Sequence, residues 1–131
     1  MSQAFTITKT DGRVTVLHLS GHLDSRAEAM LVENVRLTQT AGIHLLVLDF
    51  SEVEMLTSAG LRALHSIYKM FTPPEEMEAW EKEHPGEVYK SPYFNLAGVS
   101  PEVHYVLSIA GFLQNIPIYP TLQEALDSFP K

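Results

Sequence analysis

The sequence predicts an α/β protein, in which a mixed, mostly parallel β-sheet packs against about four helices. Strand-like and helix-like segments alternate along the chain after an opening hairpin, which is typical of such a sheet. Residues 45–48 are apolar at every position, as in a central parallel strand buried on both faces. The chain has 131 residues, of which 45% are hydrophobic and 19% charged, so we expect a single domain over residues 1–131.

The first part of the chain predicts two strands and a helix. Asp11-Gly12 is a hairpin signal between strands at 5–9 and 14–20. Residues 21–24 are expected to form a turn, after which Ser25 caps the first helix with Glu28 completing a capping box. The alternative is that Asp24 caps this helix in place of Ser25.

The remaining elements follow from apolar runs and capping patterns. A third strand is expected at 44–49, and a second helix runs from about Ser58 to Phe71, where Pro73-Pro74 ends it. The rest of the chain predicts a strand at 93–97, a helix opened by Ser100-Pro101-Glu102, a strand at 116–119 and a last helix opened by Thr121.

An acidic insertion is expected at about residues 73–92. This segment has six glutamates and two lysines, so it contributes −4 of the net charge of −7. Met77 and Trp80 are three residues apart and would share one face of a short helix. Two interpretations are open: the pair pins the insertion to the body of the domain, or it anchors a partner or a second copy.

Composition argues against several classes of function. A net charge of −7 and a pI near 5.2 disfavour nucleic acid and anionic membranes as partners. The absence of cysteine excludes disulfides and thiolate chemistry and suits a reducing compartment. With no signal peptide pattern and no membrane-length apolar run, we expect a cytoplasmic protein.

No catalytic or metal-binding pattern stands out. The spacing of His22 and Asp24 is a poor metal signature, and no phosphate-binding or dinucleotide-binding loop is present. Asp49 follows a strand as in receiver domains, but the acidic pair that would hold magnesium is missing, so we interpret Asp49 as a structural turn residue. We therefore expect no enzyme activity, no bound metal and no cofactor.

Ser58 is the most informative single position. A serine at the start of an amphipathic helix is exposed and well placed to carry a phosphate, because the helix dipole favours negative charge there. The plainer interpretation is an N-cap. Gly60, in the same first turn, suggests close approach by a partner, and Thr57 is either an alternative cap or a secondary phosphate acceptor.

Several segments in order along the chain resemble the STAS domain, the family of bacterial anti-sigma factor antagonists and of the cytosolic tails of sulphate transporters. The likeness covers nearly the whole chain except residues 73–92. It is carried by residues 21–24 (Gly-His-Leu-Asp), 48–53, 56–62 (Leu-Thr-Ser-Ala-Gly-Leu-Arg), 96–103, and 111–112 followed by 118–126.

The resemblance implies a partner-switching function. The unphosphorylated domain would bind an anti-sigma factor that is also a serine kinase, phosphorylation of Ser58 would break the complex, and a serine phosphatase would reverse it. The partner-binding residues would be Asp24, Ser58, Ala59, Gly60 and Arg62, in a monomer or weak dimer.

The chain departs from the family pattern at two places. Many phosphorylated members have aspartate where this chain has Thr57, and the common antagonists lack the acidic insertion. The alternatives are a STAS scaffold or small-ligand sensor subunit of a larger signalling assembly, and a hydrolase using Ser58 with His22 or His65.

Overall fold

The computed structural model describes residues 5–111 and 114–129, in which five strands form one sheet in the order β1-β2-β3-β4-β5. β1 pairs antiparallel with β2, and every later pair is parallel. The predicted mixed, mostly parallel sheet is confirmed. The strands are β1 (Thr6–Thr10), β2 (Thr15–Leu23), β3 (Leu46–Leu56), β4 (Phe94–Ala97) and β5 (Ile118–Tyr119).

Five helices lie in the described part of the chain, one more than the four or so expected. The additional one is the short helix suspected in the acidic insertion. The helices are α1 (Ser25–Thr40), α2 (Ser58–Met70), α3 (Pro74–Glu83), α4 (Pro101–Ile109) and α5 (Leu122–Asp127). Phe112, one of the residues that carried the family resemblance, lies outside the described residues.

The two faces of the sheet have separate apolar cores. Leu17, Leu48 and Phe94 point to the face covered by α1, α2 and α4, where the main core lies. Val16 and Val47 point to the other face and pack under α5. β3 is thus buried on both sides of the sheet, as its unbroken apolar run predicted.

The prediction of a turn at residues 21–24 was wrong. β2 continues to Leu23 because β3 itself runs on to Leu56, seven residues past the expected end, and the two strands pair along this extension. The register shifts twice, between His18 and Ser20 and between Gly21 and His22. Gly21 has φ of 105°, a value that glycine adopts readily, so it accommodates the irregular stretch.

The acidic insertion is attached to the body through Ser91 near its C-terminal end and through a hydrogen bond from the Tyr93 hydroxyl to Glu76 of α3. Trp80 stacks on His84, with ring centroids 4.2 Å apart, and meets Tyr89 edge-on at 5.6 Å. Tyr89 and Ser91 are buried, and the Ser91 hydroxyl donates to the Phe71 carbonyl at 2.7 Å. The ring contacts of Trp80 therefore stay within the segment, while Ser91 connects it to the end of α2.

Membrane-spanning helices are absent from residues 5–111 and 114–129, since none of these helices combines the length and the apolar character that a bilayer crossing needs.

Candidate functional site

Two helix N-termini meet at one edge of the sheet. β2 and β3 run parallel and end as a register pair, with Leu23 opposite Leu56. α1 and α2 follow these strands directly and pack against each other. Open α/β sheets place binding sites at the carboxyl ends of their strands. The structure thus brings two of the sequence-predicted residues, Asp24 and Ser58, to the same edge.

Thr57 joins the two strand ends and caps α2. Its backbone N–H and its hydroxyl both donate to the Leu23 carbonyl, each at 3.2 Å. The same hydroxyl oxygen accepts the N–H of Gly60 at 3.4 Å, which makes Thr57 the N-cap. The interpretation of Ser58 as the cap was wrong and the alternative, Thr57, is confirmed, because the long β3 leaves Thr57 as the last extended residue.

Ser58 is the first residue of α2, and its side chain is exposed. Within residues 5–111 and 114–129, no hydrogen bond from its hydroxyl is found, so the group is accessible to an incoming enzyme. The first turn of α2 carries no acidic side chain that would repel an added negative charge. The Thr57 hydroxyl, by contrast, is half-buried and engaged as both donor and acceptor. The geometry therefore favours Ser58 over Thr57 as a phosphate acceptor.

Asp24 is the N-cap of α1, where Ser25 had been expected. Its Oδ1 accepts the backbone N–H groups of Arg26 at 3.0 Å and Ala27 at 3.2 Å. The structural interpretation of Asp24 as a helix cap is thus confirmed. Asp24 directly follows Leu23, whose carbonyl accepts both Thr57 hydrogen bonds, so the caps of α1 and α2 lie at the same edge of the sheet. Both recorded bonds use Oδ1, so Oδ2 remains for other donors.

Arg62 forms a bidentate ion pair with Glu28. Its Nε and an Nη atom lie 3.2 Å from the two oxygens of the Glu28 carboxylate, and this pair connects the first turns of α1 and α2. The Arg62 side chain is 63% exposed, so water screens the pair and its contribution to stability is about 0–1 kcal/mol. Arg62 is therefore placed on the surface, as a partner-binding role requires, but it already has an internal partner.

Ala59 and Gly60 are buried, and this corrects the interpretation of Gly60. A Cβ atom at Gly60 would lie 2.5 Å from the Leu23 carbonyl oxygen and 2.5 Å from Cδ1 of Leu56. The missing side chain thus allows α2 to pack tightly on the strand ends. The sequence had suggested that Gly60 opens space for a partner, whereas the structure gives it this internal packing role. The Ala59 side chain likewise faces inward, so at both positions a partner could contact only the backbone.

Sequence reasoning missed a hydrogen-bond chain on the α5 face of the sheet. With its proton on Nδ1, His18 donates to Asp49 Oδ2 at 2.9 Å and accepts the Thr10 hydroxyl on Nε2 at 3.0 Å. Asp49 Oδ1 also accepts the Ser51 N–H at 3.0 Å. Only the strand register brings these residues together, so no local sequence signal could have paired them.

The environment of Asp49 favours its charged form. Burial on its own raises the pKa of this carboxyl, but the hydrogen bonds from the Ser51 N–H and from His18 outweigh burial and hold the pKa below its ordinary value. Asp49 therefore has the structural role that we expected, although it lies within β3 and not in a turn.

No metal site is found in the part of the chain that is described. Across residues 5–111 and 114–129, no three His, Cys, Asp or Glu side chains are grouped so that they could hold a metal ion. The Nε2 of His22 instead lies 3.4 Å from a Glu54 carboxylate oxygen, close to the ends of β2 and β3.

Known proteins share this fold. An anti-sigma factor antagonist from Mycobacterium paratuberculosis superimposes with a TM-score of 0.77 at 24% identity, covering 98% of this chain and 97% of the other. The Bacillus cell fate determinant SpoIIAA in its phosphorylated form gives a TM-score of 0.58 at 20% identity, covering 95% and 97%. A sulfate transporter family protein from Wolinella succinogenes gives 0.61 at 18% identity, covering 89% and 84%.

Sequence comparison places the chain in a family. A search of curated proteins finds no significant match. The family model of the STAS domain matches residues 6–73, just over half of the 131 residues, and this region includes both Asp24 and Ser58. The chain therefore belongs to the STAS domain family.

Proposed function

We propose that this protein is an anti-sigma factor antagonist, a regulatory binding module of the cytoplasm that is switched by phosphorylation of Ser58. In the unphosphorylated state it binds an anti-sigma factor that is also a serine kinase, and so releases a sigma factor. The observation that carries the proposal is the exposed Ser58 hydroxyl, without a hydrogen bond to another described residue, at the start of α2 in a STAS domain.

The chemistry is a phosphoryl transfer carried out by the partner. The Ser58 oxygen attacks the γ-phosphorus of ATP, the bond to the β-phosphate oxygen breaks, ADP leaves, and the hydroxyl proton passes to a base of the kinase. A serine phosphatase uses water to restore the hydroxyl and release inorganic phosphate. This chain supplies the acceptor and the docking surface, and the catalytic groups belong to its partners.

The added phosphate would act on the complex and not on the fold. It brings a charge of about −1.5 to −2 at neutral pH. The dipole of α2 tolerates this charge at the helix N-terminus, and the side chain is already exposed, so nothing in the core moves. The same charge on a surface covered by a partner would be desolvated and would oppose the partner's groups, which weakens binding.

Thr57 is compatible with this switch. Many phosphorylated family members carry aspartate at this position, and aspartate and threonine are both good N-caps. Thr57 caps α2 through its hydroxyl, so it can perform the structural task of an aspartate without the charge. That hydroxyl is held by Leu23 and Gly60, so we expect it to be a poor acceptor compared with Ser58.

Incubation with the anti-sigma factor kinase and ATP, followed by phosphopeptide mapping, tests the proposal. The matched control is Ser25→Ala, because Ser25 is also an exposed first helical residue that follows a capping side chain. We expect phosphate on Ser58, loss of labelling in Ser58→Ala and normal labelling in Ser25→Ala. Phosphate only on Thr57 or elsewhere would refute the assignment.

A second function, a scaffold or ligand-sensing STAS subunit of a larger signalling assembly, is favoured by one observation. The fold also matches the sulfate transporter family protein, with a TM-score of 0.61. In that case the chain would bind its assembly whatever the state of Ser58, and the kinase would not label it.

A further inference from the structure

We propose that a cavity at the opposite edge of the sheet from Ser58 binds a small organic ammonium compound that carries an aromatic or similarly flat apolar group. The cavity has a volume of about 240 Å³ and lies where β3 and β4 begin, beneath the acidic insertion. It does not involve the residues of the phosphorylation switch. Its lining residues are Gln39, Ile43, His44, Met70, Phe71, Pro73, Glu76 and Tyr93.

The lining is mostly apolar and is held in place by internal contacts. Phe71 is 3% exposed and packs at its back against Phe94 in the core, with ring centroids 6.0 Å apart. The Gln39 amide donates to the Met70 carbonyl at 2.7 Å, which ties the ends of α1 and α2 together. The walls are therefore anchored in the folded domain, as expected of a site that exists before its ligand arrives.

The charges around the cavity favour a cation. The C-terminal ends of α1 and α2 converge there, and helix C-termini carry partial negative charge, which Lys69 offsets at α2 but no basic residue of the last turn offsets at α1. Glu76 places a carboxylate at the rim, and the hydroxyl of Tyr93 donates to its Oε2, leaving Oε1 for a ligand. Phe71 and Tyr93 also line the cavity, and the faces of aromatic rings attract organic cations. Among the lining residues only His44 can carry positive charge, and its side chain is exposed.

The size of the cavity suits a ligand of one ring and a short chain. A cavity of about 150 Å³ is enough to hold benzene. The 240 Å³ measured here leaves room for a two- or three-atom tail that ends in an ammonium group at Glu76.

Titration of the 131-residue protein by nuclear magnetic resonance, in mildly alkaline buffer, tests the proposal. The probes are phenethylamine, 2-phenylethanol and phenylacetate, which share one skeleton and differ in charge. We expect saturable shifts near Tyr93 and Phe71 with phenethylamine, and at least roughly fivefold weaker binding of the other two, since about 1 kcal/mol from one partly exposed ion pair corresponds to that factor.

Matched variants locate the charge that matters. Glu76→Gln should weaken phenethylamine binding by roughly fivefold. Glu75→Gln makes the same charge change on the same helix at a residue that does not line the cavity, and should leave affinity unchanged. Equal binding of the three probes, no binding of any, or equal losses in the two variants would overturn the assignment.

Discussion

Replacement of Gly60 by alanine is expected to destabilise the protein, although alanine is the better helix former. The new Cβ would lie 2.5 Å from the Leu23 carbonyl oxygen and 2.5 Å from Cδ1 of Leu56, well inside ordinary van der Waals contact. Leu56 can partly move its side-chain end. The Leu23 oxygen is backbone at the end of β2 and accepts both hydrogen bonds of Thr57, so it cannot move without cost.

The magnitude follows from three terms. Overpacking of a tight interior costs about 1–3 kcal/mol. Weakening one of the two Thr57 bonds adds roughly 1 kcal/mol. Higher helix propensity returns up to about 1 kcal/mol. The net expectation is a loss of about 2 kcal/mol in the free energy of unfolding, which lowers Tm by roughly 6–10 °C for a domain of this size.

Urea unfolding followed by circular dichroism measures this loss directly. The control is Gly12→Ala, since the Cβ there would meet only the Val14 carbonyl oxygen, at an unstrained 3.5 Å. Its free energy of unfolding should stay within about 0.5 kcal/mol of the wild type. A Gly60→Ala protein as stable as the wild type would refute the packing argument and reopen the interpretation of Gly60 as a partner contact.

Three further predictions concern other parts of the structure. Asp24→Ala should cost about 1 kcal/mol of stability through the lost cap, whereas Asp24→Asn keeps a capping oxygen. Weaker partner binding by Asp24→Asn would therefore show that the charge matters, and unchanged binding would restrict Asp24 to capping. The depressed pKa of Asp49 contributes stability that is complete above the unfolded pKa of about 3.9 and is lost as pH falls through the lower folded pKa. Asp49→Asn should therefore reduce the loss of unfolding free energy at acidic pH, and an unchanged acid dependence would contradict this. Replacing residues 74–87 with a short Gly/Ser turn should leave a cooperative fold, and its partner affinity should differ from that of the wild type more at low salt than at high salt. Removal of residues 74–91 should also lower the melting temperature, because the buried Ser91 hydrogen bond is lost. Equal melting temperatures of the two deletions, or an unaltered affinity at low salt, would contradict these roles.

Much of the fold could be predicted because its signals are local. The cap at Ser100 is seen as expected, since capping depends on a few adjacent residues, and Gly111, with φ of 82°, follows the end of the helix. The cap at Thr121 likewise accepts the Glu124 N–H. The unbroken apolar run of β3 also fixed its central position in the sheet.

The errors at the site have a common non-local cause. Asp24 and Ser25, and likewise Thr57 and Ser58, are adjacent residues that all make good caps, so pattern alone cannot choose between them. The choice depends on where β2 and β3 stop pairing, and that depends on contacts between distant parts of the chain. The internal role of Gly60 was hidden for the same reason.

Calorimetric titration of the anti-sigma factor kinase with the unphosphorylated and the Ser58-phosphorylated protein tests the switch most directly. The account predicts that phosphorylation weakens binding by at least roughly tenfold, or about 1.4 kcal/mol, while the circular dichroism spectrum and Tm stay essentially unchanged. Ser58→Asp should show a smaller loss in the same direction. Equal affinity of the two forms for a kinase that does bind the unphosphorylated protein would contradict the account.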